Sequence, residues 1–124
     1  MTVVCVDDHS VILRGIKQSV EQILPDASIV AFANADEAFG FAKENGCDVL
    51  ISEIELCGVD GITLAKKIKQ LNPQVKIIFL TVCDEKEHAK EVLKIKPSGY
   101  LLKPAKKEQL EAELNNLRYT ICVV

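Results

Sequence analysis

The chain has 124 residues, 48% of them hydrophobic and 27% charged, with a formal net charge of −3 and a pI near 5.4. This length and balance predict one soluble globular domain that is large enough to bury a core. The acidic charge gives no basic footprint for nucleic acid, so we expect no direct nucleic-acid binding. No apolar stretch approaches the length of a membrane span.

Five cysteines are present, and no two of them show the C-x-x-C spacing of a metal or redox motif. Acidic residues follow the first few apolar residues, which argues against a signal peptide, so the expected location is the reducing cytoplasm, where disulfides are rare. Cys5 lies in an apolar segment and is predicted to be a small buried hydrophobe. A redox pair of Cys57 and Cys83 is disfavoured because nearby residues are acidic, whereas reactive thiols occupy electropositive surroundings.

Five apolar segments are predicted to form strands. Several are almost continuously apolar, as in Ile77-Ile78-Phe79-Leu80. That pattern is typical of parallel strands that are covered on both faces rather than of half-exposed hairpins. The predicted strands are 2–6, 28–33, 48–52, 75–81 and 98–102.

Amphipathic segments of helical period separate the strands. Asn34 and Glu37 are placed as an N-cap pair for the second helix, Asn72-Pro73 ends the third, and Pro104 is predicted to open the fifth. The alternation of strand and helix predicts an α/β fold with helices on both faces of the sheet. The predicted apolar stripes are Ile12, Ile16, Val20 and Ile23; Ala35, Ala38, Phe39 and Ala42; Leu64, Ile68 and Leu71; Ala89, Val92 and Leu93; and Leu110, Leu114 and Leu117.

Polar residues stand at the ends of four predicted strands: Asp7 and Asp8, Glu53, Thr81, and Lys103. Any one of them could simply mark where a strand reaches solvent. In open parallel sheets, however, sites form at the carboxyl ends of the strands. Carboxylates that meet there repel one another and need a cation, a proton or a basic partner. Paired acids for a divalent cation, a lysine, a hydroxyl and a further acid together indicate a phosphoryl-transfer site.

Four short motifs occur in order at these strand ends, and through them the chain resembles the receiver domain of response regulators in two-component signalling. The likeness covers residues 2 to about 118. Each motif alone is weak, but the set is highly specific. The motifs are Val6-Asp7-Asp8-His9, the segment 48–53 running into Gly58-Val59-Asp60-Gly61, Leu80-Thr81, and the segment 98–104.

The resemblance implies a flavodoxin-like, doubly wound α/β fold with five helices and five parallel strands in the order 2-1-3-4-5. The receiver domain would span residues 1–118. Residues 119–124 would be an apolar tail that packs on the body, or the start of a linker to an effector domain.

The resemblance also assigns roles to the strand-end residues. Asp7, Asp8 and the acid at position 53 would bind Mg²⁺ with the backbone carbonyl of Glu55. Position 53 would be the phosphoacceptor, and Thr81 and Lys103 would contact the phosphoryl group. Tyr100 would be the aromatic whose inward or outward rotamer reports the state of Thr81, and the Lys103–Pro104 bond would be cis.

Glu53 is the main departure from the family, which has aspartate as its phosphoacceptor. The extra methylene moves the carboxylate by roughly 1 Å, and such a displacement can cost about 100-fold in a positioned reaction. We therefore predict slow or absent phosphorylation. Glu53 could reach Lys103 and Thr81 and imitate the phosphorylated state, could pair with Lys103 and leave the switch idle, or could replace an aspartate of the natural protein.

Two smaller departures and two histidines complete the prediction. Cys57 stands where the family usually has proline, which predicts a looser loop. Val82 replaces a small residue and is predicted to narrow access to the acceptor. His9 is expected at the start of the first helix near the pocket rim rather than as a metal ligand, and His88 is expected on the solvated surface.

The implied partners are a sensor histidine kinase or another phosphodonor, and an effector that is most often transcriptional. A homodimer through the fourth helix, fifth strand and fifth helix is a further implication. Any self-phosphorylation or dephosphorylation would be weak, so the chain is not expected to be an enzyme. A flavin-binding electron carrier is disfavoured because Asp7-Asp8-His9-Ser10 would repel the flavin phosphate without a metal. A phosphatase with an aspartyl nucleophile is disfavoured because its two acids would be one residue apart, whereas Asp7 and Asp8 are adjacent. A phosphorylation-independent interaction module remains the alternative.

Overall fold

The computed structural model describes residues 1–56, 60–82 and 85–123, and for 85–89 and 116–123 it describes the backbone alone. Cys57 and Cys83, with the predictions made for them, therefore lie outside the described residues. So do the side chains of His88 and of the tail 119–124. The backbone of 119–123 is part of the last helix, and the assignment of the tail to a linker stays a prediction.

Strands and helices alternate through the described part of the chain, as the sequence predicts. All strand pairs are parallel, and the strand order is β2-β1-β3-β4-β5. The predicted doubly wound, flavodoxin-like architecture is confirmed. The strands are β1 (Thr2–Val6), β2 (Ser28–Phe32), β3 (Val49–Ser52), β4 (Lys76–Thr81) and β5 (Gly99–Leu102); the helices are α1 (Ser10–Ile23), α2 (Ala35–Asn45), α3 (Gly61–Leu71), α4 (Glu85–Ile95) and α5 (Lys107–Val123).

Four strands differ from their predicted bounds by one residue at one end. Three begin one residue later and β2 ends one residue earlier. Val75 illustrates the cause, because its N–H donates to the carbonyl of Asn72, 3.0 Å away, in the turn that follows α3. Val75 therefore belongs to the turn although it is apolar, and hydrophobicity alone does not distinguish such a turn residue from the first residue of a strand.

The sheet separates two apolar cores. One lies between the sheet and α2, α3 and α4, and the other lies between the sheet and α1 and α5. Successive residues of β4 serve opposite cores: Phe79 packs in the first and Leu80 in the second, and both are buried. Alternation of side chains across a strand that is covered on both faces explains the continuous apolar runs in the sequence.

The predicted helix signals are confirmed at two helices and wrong at one. Asn34 accepts a hydrogen bond from the Glu37 N–H at 2.8 Å, and Asn72 is the C-cap that follows the last residue of α3. Pro104 does not open α5, which begins three residues later. The N–H of Lys106 donates to the Gln109 side chain at 2.8 Å, so this pair defines the start of the helix. The Lys103–Pro104 bond is cis, as predicted.

Among the predicted stripe residues whose side chains the structure describes, which leaves out Ala89 and Leu117, three are exposed rather than buried: Ile12, Leu71 and Leu93. Leu93 is 72% exposed because it follows Val92 directly and is turned about 100° away from it on the helix. The buried stripe of α4 instead joins Val92 and Ile95, which are three residues apart. The remaining stripe residues with described side chains in α1 and α3 are buried.

A lysine connects α3 to the end of α4. The Lys69 ammonium donates to the carbonyl of Ile95 at 2.6 Å. Lys96, the next residue, has a φ of 56°, the left-handed conformation that ends helices. The cation therefore satisfies a carbonyl that the helix itself leaves without an intrahelical partner.

Among the residues that the structure describes, no helix combines the length and apolar character needed to cross a membrane. Two cysteines in this part, Cys5 and Cys47, are buried free thiols. Burial raises the pKa of each thiol to about 12, so both stay protonated at neutral pH. Cys5 is the buried hydrophobe that the sequence predicts.

Candidate functional site

The carboxyl ends of β1, β3, β4 and β5 meet along one edge of the sheet. Backbone hydrogen bonds continue the ladder past the strand ends and fix the residues there. The N–H of Glu53 donates to the Val6 carbonyl at 3.1 Å, and the N–H of Lys103 donates to the Thr81 carbonyl at 2.8 Å. Asp7 follows β1 directly. Each strand thereby delivers one polar side chain to a common position, as the sequence predicts.

Lys103 forms the centre of the cluster. Its ammonium pairs with Asp7 Oδ2 and lies 2.6 Å from Glu53 Oε2. All three side chains are almost completely buried, with 8% of the lysine exposed and less of either acid. Burial lowers the pKa of Lys103, but the hydrogen bonds and charges of Asp7 and Glu53 outweigh it and raise that pKa overall. The lysine is therefore a cation at neutral pH in this pocket.

The Glu53 carboxylate has a partner on each oxygen. Oε1 accepts hydrogen bonds from the Thr81 hydroxyl, from the N–H of Ile54 at 2.8 Å and from the N–H of Glu55 at 3.3 Å. Oε2 pairs with Lys103. The glutamate thus contacts both the predicted hydroxyl and the predicted lysine. Sequence reasoning left this contact open, because the reach of a glutamate depends on its rotamer.

His9 is predicted on the pocket rim, and its ring lies directly beside the carboxylates of Asp7 and Asp8. It is the N-cap residue of α1, but its side chain makes no cap hydrogen bond. Its N–H donates to Asp7 Oδ1 at 2.9 Å, and Nδ1 lies 3.1 Å from Asp8 Oδ1 and 3.3 Å from Asp7 Oδ1. One potential ligand atom from each of these three residues lies within 4.8 Å of the others.

The donor set fits a divalent cation. The carboxylates of Asp7, Asp8 and Glu53 carry −3 and the Lys103 ammonium carries +1, which leaves −2. Oxygen ligands of this kind suit a hard cation such as Mg²⁺. Asp8 is 20% exposed, so the acidic pair is open to solvent on one side. Glu55 lies in the loop after β3, and the predicted role of its carbonyl stays a prediction.

Gly61, which opens α3, packs directly against the acceptor position. Its N–H donates to the Ile54 carbonyl at 2.7 Å, and a Cβ added to it would lie 1.9 Å from the Glu53 carbonyl oxygen. Asp60 caps the helix by accepting from the Thr63 N–H at 2.7 Å. Sequence reasoning did not assign Gly61 this packing role, although Asp60 and Gly61 belong to one of the four strand-end motifs.

Gly61→Ala is expected to lower the free energy of unfolding by about 1–3 kcal/mol or more, because the new methyl overlaps backbone rather than a flexible side chain. Urea unfolding would measure the change. Gly40→Ala in α2 is the matched control, since a Cβ there meets no atom within 4 Å. That variant should be stabilised by roughly 0.5–1 kcal/mol. Equal effects of the two substitutions would contradict the packing argument.

Tyr100 and Val82 lie beside the cluster. Tyr100 pairs across β5 and β4 with Phe79, and the two rings meet edge to face with centroids 6.3 Å apart. Thr81 is two residues beyond Phe79 on the same strand, so it shares a sheet face with Tyr100. Val82 is 66% exposed next to Thr81. The switch role of Tyr100 and the access role of Val82 stay predictions.

Comparison with protein families gives one match over most of the chain. The model of the response regulator receiver domain matches residues 3–115. The oxygen regulatory protein NreC of Staphylococcus haemolyticus is 35% identical over 112 residues, which are 89% of this chain and 51% of NreC. Response regulator UvrY of Escherichia coli strain K12 is 26% identical over 117 residues, or 54% of its length. The chain therefore spans about half the length of these relatives.

Solved structures share the fold. The receiver domain protein from Clostridium thermocellum superposes with a TM-score of 0.85 and 24% identity, covering 99% of this chain and 98% of that one. RcsB from Salmonella enterica serovar Typhimurium, solved on promoter rprA in the presence of the phosphomimetic BeF₃⁻, superposes with a TM-score of 0.79 and 30% identity, covering 94% of this chain and 67% of RcsB.

Proposed function

Because this chain belongs to the response regulator receiver domain family, we propose that it is a receiver whose acidic pocket binds Mg²⁺ and whose phosphotransfer is impaired by Glu53. The observation that carries the proposal is the meeting of Asp7, Glu53, Thr81 and Lys103 at one edge of the sheet. Placing a lysine and two carboxylates in a buried pocket brings little net stability compared with apolar residues of similar volume, so the cluster is better explained by a phosphoryl-binding site than by a need for stability.

Each side chain has a role in this proposal. Asp7, Asp8 and Glu53, with the carbonyl of Glu55, would hold Mg²⁺. When bound, the ion neutralises charge on phosphoryl oxygens. The ammonium of Lys103 would balance further negative charge from inside the pocket. The hydroxyl of Thr81 would contact the group at position 53 and transmit its state to Tyr100.

The contacts of Glu53 support impaired phosphotransfer. A carboxylate attacks a phosphodonor through an oxygen lone pair, and both oxygens of Glu53 already accept hydrogen bonds or an ion pair. Attack requires one oxygen to leave Thr81 or Lys103. The added methylene also places the carboxylate where a phosphoryl group would need room. Both effects slow the reaction.

The closed network also favours a second candidate, a phosphorylation-independent interaction module. Glu53 holds Thr81 and Lys103 by itself, so the pocket needs no phosphoryl group to be ordered. In this role the chain would present one fixed surface to its partner. Phosphodonor labelling and cation binding separate the two candidates.

The proposed partners are a histidine kinase or small phosphodonor and an effector, attached or separate. Several similar proteins are named as response regulators or transcriptional regulators. A homodimer through α4, β5 and α5 is part of the proposal. It is supported by the exposed Leu93 on α4 and Leu102 on β5, which is an edge strand. The proposed location is the cytoplasm, and the receiver itself would not be an enzyme.

Magnesium titration tests the receiver proposal. We expect saturable binding at millimolar Mg²⁺ by calorimetry or by amide shifts around Asp8. Asp8→Asn should weaken that binding by about tenfold or more, since even outer-shell partners of a metal are worth that much. Asp26→Asn, at an exposed residue between α1 and β2, is the control and should bind like the wild type. An absence of binding at millimolar Mg²⁺ would favour the second candidate.

A further inference from the structure

A groove of about 520 Å³ runs between α1 and the start of α5, next to the carboxylate cluster. Its apolar side chains come from both helices and from β4, and they include Ile12, Ile16, Leu80 and Leu110. Three of these four residues are buried, whereas Ile12 is exposed on the rim. The volume falls within the range of about 300–1,000 Å³ that is typical of small-molecule sites.

Among the residues whose side chains the structure describes, the charged residues that line the groove are Lys103, Lys106 and Lys107, which are all basic. No acidic residue of these described ranges lines it. This arrangement stands out in a chain with a net charge of −3. Lys103 points to Asp7 and Glu53, and Lys107 donates to Gln22 at 2.6 Å across the two helices. Lys106 and Lys107 are both exposed, which places their charge at the mouth of the groove.

We propose that this groove binds a small organic anion with an apolar body, such as a medium-chain carboxylate. The apolar body would cover the side chains of Ile16, Leu80 and Leu110, and the anionic head would lie at Lys106 and Lys107. Charge complementarity decides the class of ligand, because an apolar floor alone would accept a neutral molecule equally well. The proposal goes beyond the receiver function and needs neither Mg²⁺ nor phosphate.

Gly15 allows the groove to be filled without damage to α1. It lines the groove, and a Cβ built on it meets no atom within 4 Å. Gly40 in α2 has the same open surroundings on the opposite face of the sheet and does not line the groove. Gly15→Leu and Gly40→Leu are therefore a matched pair: both place a leucine on an exposed helical glycine, and one fills the groove.

The test is a titration of the full chain with decanoate, followed by amide chemical shifts. We expect saturable shifts in α1, at the end of β4 and at the start of α5. Gly15→Leu should weaken the apparent affinity by about tenfold or more, the equivalent of losing one or two buried methylenes. Gly40→Leu should leave it unchanged. Lys106→Gln with Lys107→Gln should weaken it by roughly 2- to 5-fold, as expected for exposed ion pairs.

Several results would overturn the proposal. They are shifts that do not saturate, shifts spread over the whole surface, equal losses in the two leucine variants, and full affinity in the double lysine variant. Binding of an amphipathic helical peptide but not of decanoate would also overturn it. If Gly15→Leu does not fold, Ser19→Leu fills the same groove and replaces it. None of these failures bears on Mg²⁺ binding, so the receiver function is tested separately.

Discussion

Glu53→Asp is expected to raise the rate at which acetyl phosphate labels this chain by about 100-fold, the cost commonly attached to a displacement near 1 Å. The shorter carboxylate withdraws from Thr81 and Lys103 and leaves room between them for a phosphoryl group. Its oxygens are then less fully occupied than those of Glu53, which contact the hydroxyl, two backbone N–H groups and the ammonium.

Intact mass or phosphate-affinity electrophoresis, with Mg²⁺ present and absent, would measure the labelling. Glu55→Asp is the matched control, because it shortens an exposed glutamate of the same loop and keeps the backbone carbonyl in place. An equal gain in both variants would show that the effect is not specific to position 53. No labelling of Glu53→Asp would contradict the receiver proposal and favour the interaction module.

Lys103→Met is expected to lower the free energy of unfolding by about 3–5 kcal/mol, because it leaves two buried carboxylates without their cation. Asp7 and Glu53 are almost fully buried and lie on either side of the ammonium. Urea unfolding at neutral pH would measure the loss. Lys106→Met removes an exposed lysine three residues away and should change stability by no more than about 0.5 kcal/mol. Similar losses in the two variants would contradict the buried-pair argument.

The stability difference between wild type and Lys103→Met is expected to become smaller at high pH. The pKa of Lys103 is raised in the folded state, so its stabilising contribution is complete below its ordinary pKa near 10.4 and is lost as pH rises through the higher folded value. Wild type and Lys103→Met should therefore converge in strongly alkaline solution. Cys5 and Cys47 also titrate there, but they do so in both proteins and cancel in the difference. A stability difference that widened above about pH 11 would contradict a raised pKa for Lys103.

The sequence predicts the fold well because strands that are buried on both faces consist almost entirely of apolar residues. All of β3 and all but the first residue of β4 are buried, and the runs 49–51 and 77–80 within them are apolar without interruption. The alternation of these strands with helices then predicts the layers of the fold. Polar residues at four strand ends likewise mark the site. Boundaries are less predictable, as Val75 and Pro104 show, because neighbouring turns and caps compete for the same backbone groups.

The finer contacts of the site depend on rotamers and close approaches that a linear pattern does not encode. Glu53 could have paired with Lys103 alone, and its simultaneous contact with Thr81 follows from side-chain geometry. The position of the His9 ring beside Asp8 is a similar case. The need for glycine at position 61 cannot be predicted from its neighbours in the sequence. It arises because the backbone carbonyl of Glu53, which lies outside α3, occupies the space that a side chain would need.

The lysine bridge from Lys69 to Ile95 ties the carboxyl end of α4 to α3. The last carbonyls of a helix have no N–H partner within it, so a rearrangement that drew this end of α4 away from α3 would leave the Ile95 carbonyl to water. The bond therefore opposes any separation of α3 from the carboxyl end of α4.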